Sequence, residues 1–181
     1  SYMSFTLKIF SFILLLFLGC SSQEKNIYIE SPDKNISVKV LKRNNDFFYN
    51  VNFNGKTIIH DSKVGLMFKN NFEFPRKHYV KKVEKGFHKD TWELPWGEKK
   101  VVKDIYNEII ISLTDTNNLG IGKMLFRVYD DGIAFRYQMN DNKKNQDSLI
   151  IINELTEFNL SEDANAWWTP AYLSLIHISE P

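Results

Sequence analysis

Apolar and polar residues alternate along most of the chain in short runs that end at turn-forming residues. Every second residue from Ile36 to Val40 is branched and apolar, which is the pattern of a strand with one buried face. The run Phe47–Phe53 repeats the pattern, and Asn54-Gly55 after it predicts a two-residue hairpin turn. Outside the N-terminal segment, no stretch shows the spacing of an amphipathic helix.

Further runs rich in β-branched and aromatic residues predict strands at Ile27–Ile29, Thr57–Ile59, Val64–Phe68, Ile105–Leu113, Met124–Tyr129, Ile133–Met139, Ser148–Ile152 and Leu155–Phe158. The segment from Asn70 to Lys89 has no clear period and is predicted to be irregular. Many short strands separated by turn signals favour an all-β fold, a large antiparallel β-sandwich.

The N-terminal segment has a different pattern. Lys8 precedes an apolar run, Ile9–Leu18, which is shorter than the roughly 20 residues that span a bilayer and is typical of a helical secretory signal. Leu18-Gly19-Cys20 resembles the lipobox of bacterial lipoproteins, so we expect residues 1–20 to be a signal and Cys20 to be lipidated. An ordinary signal peptide with an incidental cysteine is the alternative. The polar residues 21–26 are interpreted as a tether.

Composition narrows the function classes. The chain has 181 residues, of which 43% are hydrophobic, enough for one domain with a core. A net charge of +1 argues against a nucleic-acid binder, which would carry a basic stripe. Cys20 is the only cysteine, which excludes intrachain disulfides and cysteine-based zinc sites.

Metal and nucleophile motifs are missing from the sequence. The four histidines are far apart, and none belongs to a zinc-binding pattern. The chain also has no Gly-x-Ser-x-Gly elbow and no glycine-rich phosphate loop.

Carboxylates near aromatic residues are the stronger candidates. Glycosidases use two carboxylates that flank the scissile bond, and their sites stack sugars on aromatic rings. Suitable residues are Glu93, Glu98, Glu108, Glu154 and Glu157, with Trp92, Trp96, Trp167 and Trp168. The alternative is that these tryptophans belong to the sandwich core or to an interface.

Two adjacent carboxylates, Asp130 and Asp131, precede Gly132 between two aromatic-rich runs. An Asp-Gly pair between alternating runs predicts a hairpin turn, because glycine accepts positive φ and aspartate caps the turn. Neighbouring turn side chains also diverge. We therefore interpret this pair as a turn and not as a catalytic dyad.

Several separated motifs together resemble glycoside hydrolase family 97 over Ile27–Tyr172. They are SPDKNISVKV, LPWGEKKVVKDIYNE, FRVYDDGIAFRY, ELTEF and AWWTPAY, in that order. The resemblance implies the N-terminal domain of that family, a β-sandwich of the galactose-mutarotase-like type. In the family this domain precedes a catalytic (β/α)8 barrel and a small C-terminal β-domain.

The resemblance also implies a function for the parent protein. Family members are exported α-glucosidases or α-galactosidases with calcium at the active site, and their catalytic carboxylates lie on the barrel. The calcium-binding glutamate of the N-terminal domain follows the Trp-Trp-x-Pro stretch, in a tail where this chain departs from the family. We therefore assign no catalytic residue and no metal ligand, and expect no calcium on this chain itself.

The last residues, 173–181, do not continue the preceding pattern. The run SLIHISEP resembles a translated sequencing adapter, and we interpret it as an artefactual tail on a truncated domain of residues 27–172. A genuine last strand is the alternative.

We therefore expect an inactive N-terminal fragment of an exported α-glycosidase, whose partners are an oligosaccharide substrate, the missing barrel and, through Cys20, a membrane. The expected location is the periplasm or outer membrane of a Gram-negative bacterium. Candidates for contact with sugar or barrel are Trp96, Glu98, Glu108, Trp167 and Trp168. The alternatives are a stand-alone carbohydrate-binding envelope lipoprotein and a purely structural envelope protein.

Overall fold

The structure is a computed structural model that describes residues 27–97, 100–140 and 149–163. Its elements are the strands β1 (Ile27–Glu30), β2 (Ile36–Arg43), β3 (Asp46–Phe53), β4 (Lys56–Val64), β5 (Leu66–Phe68), β6 (Glu73–Phe74), β7 (Tyr79–Glu93), β8 (Val101–Thr114), β9 (Gly120–Val128), β10 (Ile133–Met139) and β11 (Ile151–Glu154). Within these ranges no helix is long and apolar enough to cross a membrane.

The first sheet is a four-stranded antiparallel meander in the order β1-β2-β3-β4. The alternating residues of β2 face inward, and Ile36, Val38 and Val40 are buried as their spacing predicts. Asn54 and Gly55 both have positive φ, 49° and 79°, which confirms the hairpin turn between β3 and β4.

The second sheet is also four-stranded and antiparallel, in the order β10-β9-β8-β7. Its inner face carries Ile109, Ile111, Met124 and Phe126, all of which are buried in one cluster with the inner residues of the first sheet. A small third sheet, β11-β5-β6, also contributes to this cluster through Phe68 and Phe74. The predicted all-β antiparallel sandwich is therefore confirmed.

The segment Leu155–Ser161, here called the strap, runs along the outer edge of β4. Its backbone exchanges hydrogen bonds with that strand, for example from the N–H of Glu157 to the carbonyl oxygen of Lys63 at 2.8 Å and from the N–H of His60 to the carbonyl oxygen of Asn159 at 2.8 Å. The strap thus covers a sheet edge that would otherwise be open.

Three expectations about the elements were wrong. Residues 79–89, which lie in the segment predicted to be irregular, belong to the 15-residue strand β7. This strand lies at the edge of its sheet with mostly exposed side chains, so its sequence lacks alternation. Phe53, expected on the buried face of β3, is 45% exposed because it lies beside the turn. Residues 155–158 belong to the strap and not to a strand.

Several interpretations concern residues outside the described ranges. These are the signal with Cys20, the tether and the tail at residues 173–181.

Candidate functional site

A two-stranded arm extends the second sheet beyond its neighbours. Only the part of β8 from Asn107 to Thr114 pairs with β9, whereas Val101–Tyr106 pairs with β7 alone. We call the hairpin segment from Phe87 to Tyr106 the arm. Because a two-stranded ribbon buries little apolar surface of its own, the arm presents its side chains to the surroundings.

The tip of the arm carries the most exposed large apolar side chain of the described residues. Trp96 is 84% exposed and stands in the turn between β7 and β8, next to Gly97 with a φ of 119°. The N–H of Leu94 donates to the carbonyl oxygen of Lys100 at 2.8 Å and closes this turn. Trp92, at 43% exposure, adds a second ring. The tip of the arm is therefore a candidate contact surface.

The base of the arm is a packed cluster of rings and charges around Tyr106. The ring of His88 stacks on Tyr106 with centroids 4.8 Å apart, and Tyr129 lies 5.1 Å away. The guanidinium carbon of Arg127 sits 4.4 Å from the centre of the Tyr106 ring. These contacts attach the arm to β9 and to the turn that follows it.

Glu108 is part of this cluster and forms an ion pair with Arg127. Its Oε2 atom lies 2.7 Å from Nε of Arg127, and this hydrogen bond raises the pKa of the Arg127 guanidinium. A short charge-assisted hydrogen bond of this kind fixes the position of both side chains. The Glu108–Arg127 pair thus joins β8 to β9 at the base of the arm.

Of the residues expected to contact sugar or the barrel, the structure describes Trp96 and Glu108, and it places them far apart. Trp96 lies beyond Val101 at the tip of the arm, whereas Glu108 lies seven residues farther along β8, roughly 23 Å at the usual rise of a strand. The other candidates, Glu98, Trp167, Trp168 and Cys20, lie outside the described residues.

The interpretation of Asp130 and Asp131 as turn residues agrees with the geometry, except in one detail. The N–H of Tyr129 donates to the carbonyl oxygen of Gly132 at 2.8 Å, which closes the loop between β9 and β10. Asp130 Oδ1 accepts a hydrogen bond from the N–H of Asp33 at 2.9 Å. Gly132, however, does not have positive φ, because the loop holds four residues and not a tight pair.

A groove beside the base of the arm was missed by the sequence interpretation. It has a volume of about 390 Å³ and lies between β1 and β7, with Tyr28 and Phe87 among the residues that line it. Its floor is held by Asn107, whose Nδ2 donates to the carbonyl oxygen of Glu30 at 2.8 Å. No sequence signal links these residues, because they belong to strands far apart in the chain.

Within residues 27–97, 100–140 and 149–163, no three side chains of His, Cys, Asp or Glu come together in a way that could hold a metal ion.

Comparison with known proteins agrees with this fold. A model of the family described as Glycosyl-hydrolase 97 N-terminal matches residues 29–177. A glycoside hydrolase family 97 enzyme from Pseudoalteromonas sp. strain K8, solved in complex with panose and also with acarbose, is 29% identical with a TM-score of 0.65. That match covers 75% of this chain and 20% of the enzyme.

A beta-arabinopyranosidase crystal structure is similar in fold, with a TM-score of 0.65 at 21% identity over 74% of this chain and 21% of that chain. The present chain thus spans about a fifth of the length of these solved enzymes. Because the family model covers most of the chain and the sandwich matches a family enzyme, the chain belongs to glycoside hydrolase family 97, as its N-terminal domain.

Proposed function

We propose that this chain is a non-catalytic N-terminal β-sandwich of an exported hydrolase that cleaves α-glucosidic or α-galactosidic bonds. The observation that carries the proposal is the family match over residues 29–177. The family enzyme that binds panose and acarbose supports an oligosaccharide as the substrate of the parent protein.

The carboxylates of the described residues support a non-catalytic role. A glycosidase needs one carboxyl group with a raised pKa as its acid and a second carboxylate across the bond. Hydrogen bonds and cations instead lower the pKa of each described carboxyl group that shifts clearly: Asp33, Asp61, Glu84 and Glu162. The acid–base chemistry is therefore assigned to the rest of the parent protein.

The arm supplies the contact through which the sandwich would help to shape the sugar-binding site. A largely exposed tryptophan on a hairpin is a typical interface anchor, because its ring buries a large area on contact and has few rotatable bonds. We assign Trp96 to contact with the parent's barrel or with sugar held against it, and Glu108 to positioning the arm through Arg127.

Calcium, membrane anchoring and export belong to the same proposal. The described residues form no cluster for calcium, so no step of the chemistry is assigned to a metal on them. The lipobox resemblance supports a lipid anchor on Cys20 and a site in the periplasm or outer membrane. Mass spectrometry of the N-terminal peptide is the test, and an unmodified Cys20 would contradict the anchor.

An activity assay tests the non-catalytic role. The purified chain is expected to leave p-nitrophenyl α-glucoside and p-nitrophenyl α-galactoside intact, because every described carboxyl group with a clearly shifted pKa is shifted downward, which does not suit a glycosidase acid. Turnover that copurifies with the chain would overturn the proposal.

The contact role of Trp96 needs the parent protein with its barrel. Trp96→Ala is expected to lower kcat/KM there by tenfold or so, because interface tryptophans commonly contribute more than 1 kcal/mol. Phe53→Ala is the matched control, since Phe53 is also an exposed ring beside a hairpin turn. Equal effects of the two substitutions would argue against a specific contact.

A stand-alone carbohydrate-binding lipoprotein is the second candidate, and the groove between Tyr28 and Phe87 favours it. Its volume suits a small oligosaccharide, and ring faces beside polar groups are typical of sugar sites. Titration with maltotriose, followed by nuclear magnetic resonance, tests this function. Unchanged spectra at millimolar sugar would count against it.

A further inference from the structure

Strand β7 presents a long open edge. It has 15 residues and pairs with β8 on one side, while no strand among the described residues pairs with its other side. A strand edge of this length carries a row of backbone N–H and C=O groups that can add another strand.

We propose that this edge binds the same edge of a second copy of the chain. The two β7 strands run antiparallel around a two-fold axis at Gly86 and join the two four-stranded sheets into one sheet of eight strands. Pairing of identical edges by a two-fold axis is the simplest closed arrangement for a homodimer.

Geometry limits the registers in which β7 can pair with itself. In an antiparallel pair, two facing residues either both point their backbone N–H and C=O groups at each other or both point them away. Successive residues of a strand alternate between these two orientations, so a residue can face its own copy but not the copy of its neighbour. The two-fold axis must therefore pass through a residue. The irregularity between Val80 and Lys82 interrupts the strand, so the uniform stretch runs from Lys82 to Glu93. Axes that pair at least seven residues of this stretch lie at residues 85 to 90.

Charge selects among these six axes. An axis at Lys85, Lys89 or Asp90 places a charged residue against its own copy, and an axis at Phe87 sets Lys85 against Lys89. Like charges directly opposite each other destabilise a strand pair. An axis at His88 avoids this conflict but brings no opposite charges together.

The axis at Gly86 is the one that combines opposite charges with no like-charge pair. It sets Lys82 against Asp90 on the outer face, twice by symmetry. On the inner face it sets Phe87, which is 62% exposed, against Lys85, whose aliphatic stem and ammonium group both suit an aromatic ring.

Two local features permit this arrangement. A Cβ atom added at Gly86 would meet nothing within 4 Å, so the position on the axis is open. Lys82 now binds Glu84 at 2.7 Å, but both side chains are exposed. Such a surface pair is weak, which leaves Lys82 free to turn to Asp90 of a partner.

Cysteine cross-linking tests the axis directly in the full chain carrying Cys20→Ser. Facing Cα atoms lie about 4.5–5.5 Å apart, which matches a disulfide. Gly86→Cys is therefore expected to give a disulfide-linked dimer under mild oxidation. The control is Glu84→Cys, whose two copies would stand four residues out of line, about 13 Å apart, and should stay monomeric in a denaturing gel. No cross-link at Gly86, or equal cross-linking at both positions, would overturn the proposal.

Charge reversal tests the same interface without cysteine. Lys82→Glu and Asp90→Lys are each expected to weaken dimerisation by about tenfold in analytical ultracentrifugation, because each creates two like-charge pairs. The double variant restores opposite charges and should dimerise like the parent chain. Lys103→Glu, an exposed lysine of β8, is the control. A monomer at all concentrations, or unspecific aggregation that the double variant does not reverse, would contradict the dimer.

Discussion

Asp130 and Asp131 are identical neighbours with different roles. Asp130 joins two turns that lie far apart in the sequence, because its Oδ1 accepts the N–H of Asp33. The carboxylate of Asp33 in turn accepts from the backbone N–H of Asn35 at 3.0 Å, and hydrogen bonds from Ser31 and Asn35 lower its pKa. Asp130 thus stabilises the turn between β1 and β2.

Substitution of these two aspartates separates the roles. Asp130→Ala is expected to lower the free energy of unfolding by about 1 kcal/mol, because the N–H of Asp33 loses a charged acceptor. Asp131→Ala, the matched control, should change it little. Urea unfolding measures both variants, and equal losses would show that the shared turn and not the hydrogen bond matters.

Tyr49 is buried and Tyr137 is half-buried, and both tyrosines have hydrogen-bond partners in the sandwich. The hydroxyl of Tyr49 donates to the carbonyl oxygen of Glu157, and the hydroxyl of Tyr137 lies 2.9 Å from Oγ1 of Thr156. Burial raises the pKa of each tyrosine to about 12. The sandwich therefore favours their neutral form more than the unfolded chain does.

The alkaline limb of stability follows from this preference. Tyrosines of the unfolded chain lose their protons near pH 10. The contribution of the two tyrosines to the free energy of unfolding is therefore fully present below that pH, and it falls as the pH rises toward 12. Tyr137→Phe should cost about 1 kcal/mol at pH 7 through the lost hydrogen bond, yet reduce the loss between pH 9 and 11. Urea midpoints across that range give the result, and parallel curves for both proteins would contradict the assignment.

At the scale of the element, β8 is divided into two halves with different surroundings. From Asn107 onward it lies between β7 and β9, and Ile109 is fully buried in the core. Before that point it belongs to the arm, where Ile105 is only half-buried. The same residue type is therefore expected to contribute unequally to the stability of the domain at two positions of one strand.

Alanine substitutions along β8 measure that inequality. Ile109→Ala is expected to destabilise the domain by about 2–5 kcal/mol, since it opens a cavity in the packed core. Ile105→Ala should cost about 1 kcal/mol, because less area is buried there. Thermal unfolding compares the two variants, and similar losses would mean that the arm is packed as tightly as the core.

Elements with one buried face were predictable from sequence, and β7 was not. Alternation in β2 revealed its buried face, and Asn54-Gly55 revealed the turn after β3. Strand β7 escaped prediction because its side chains are mostly exposed and its pairing comes from β8. The exposure of Trp96 likewise depends on how far β8 extends beyond β9, which local sequence does not encode.

At the scale of the whole molecule, charge networks limit stability in acid. Asp61 shows the effect best, because the amide of Asn50 at 2.7 Å and then the guanidinium of Arg43 lower its pKa. A carboxyl group with a lowered pKa stabilises the fold above its unfolded value of about 3.9. That contribution is lost as the pH falls through the folded pKa.

Acid unfolding of an Asp61→Asn variant tests this loss of stability at low pH. The variant should be less stable than the parent at pH 6, and the difference should shrink toward pH 2, where the parent's carboxylate is also neutral. Circular dichroism during acid titration gives the comparison. A gap that stays constant with pH would assign the effect to packing instead of charge.

The strap has a consequence for the synthesis of the protein. Its contacts join residues such as Ser62 and Asn159, which are 97 positions apart, so the edge of β4 stays open until the strap leaves the ribosome. At usual rates of translation that interval lasts roughly 5 to 20 seconds.

We predict that nascent chains stalled before residue 155 are cut by protease in the first sheet more readily than chains stalled well after residue 161. Equal cutting would refute this. The nascent first sheet is then most vulnerable to mispairing during this interval, before the strap covers the edge of β4.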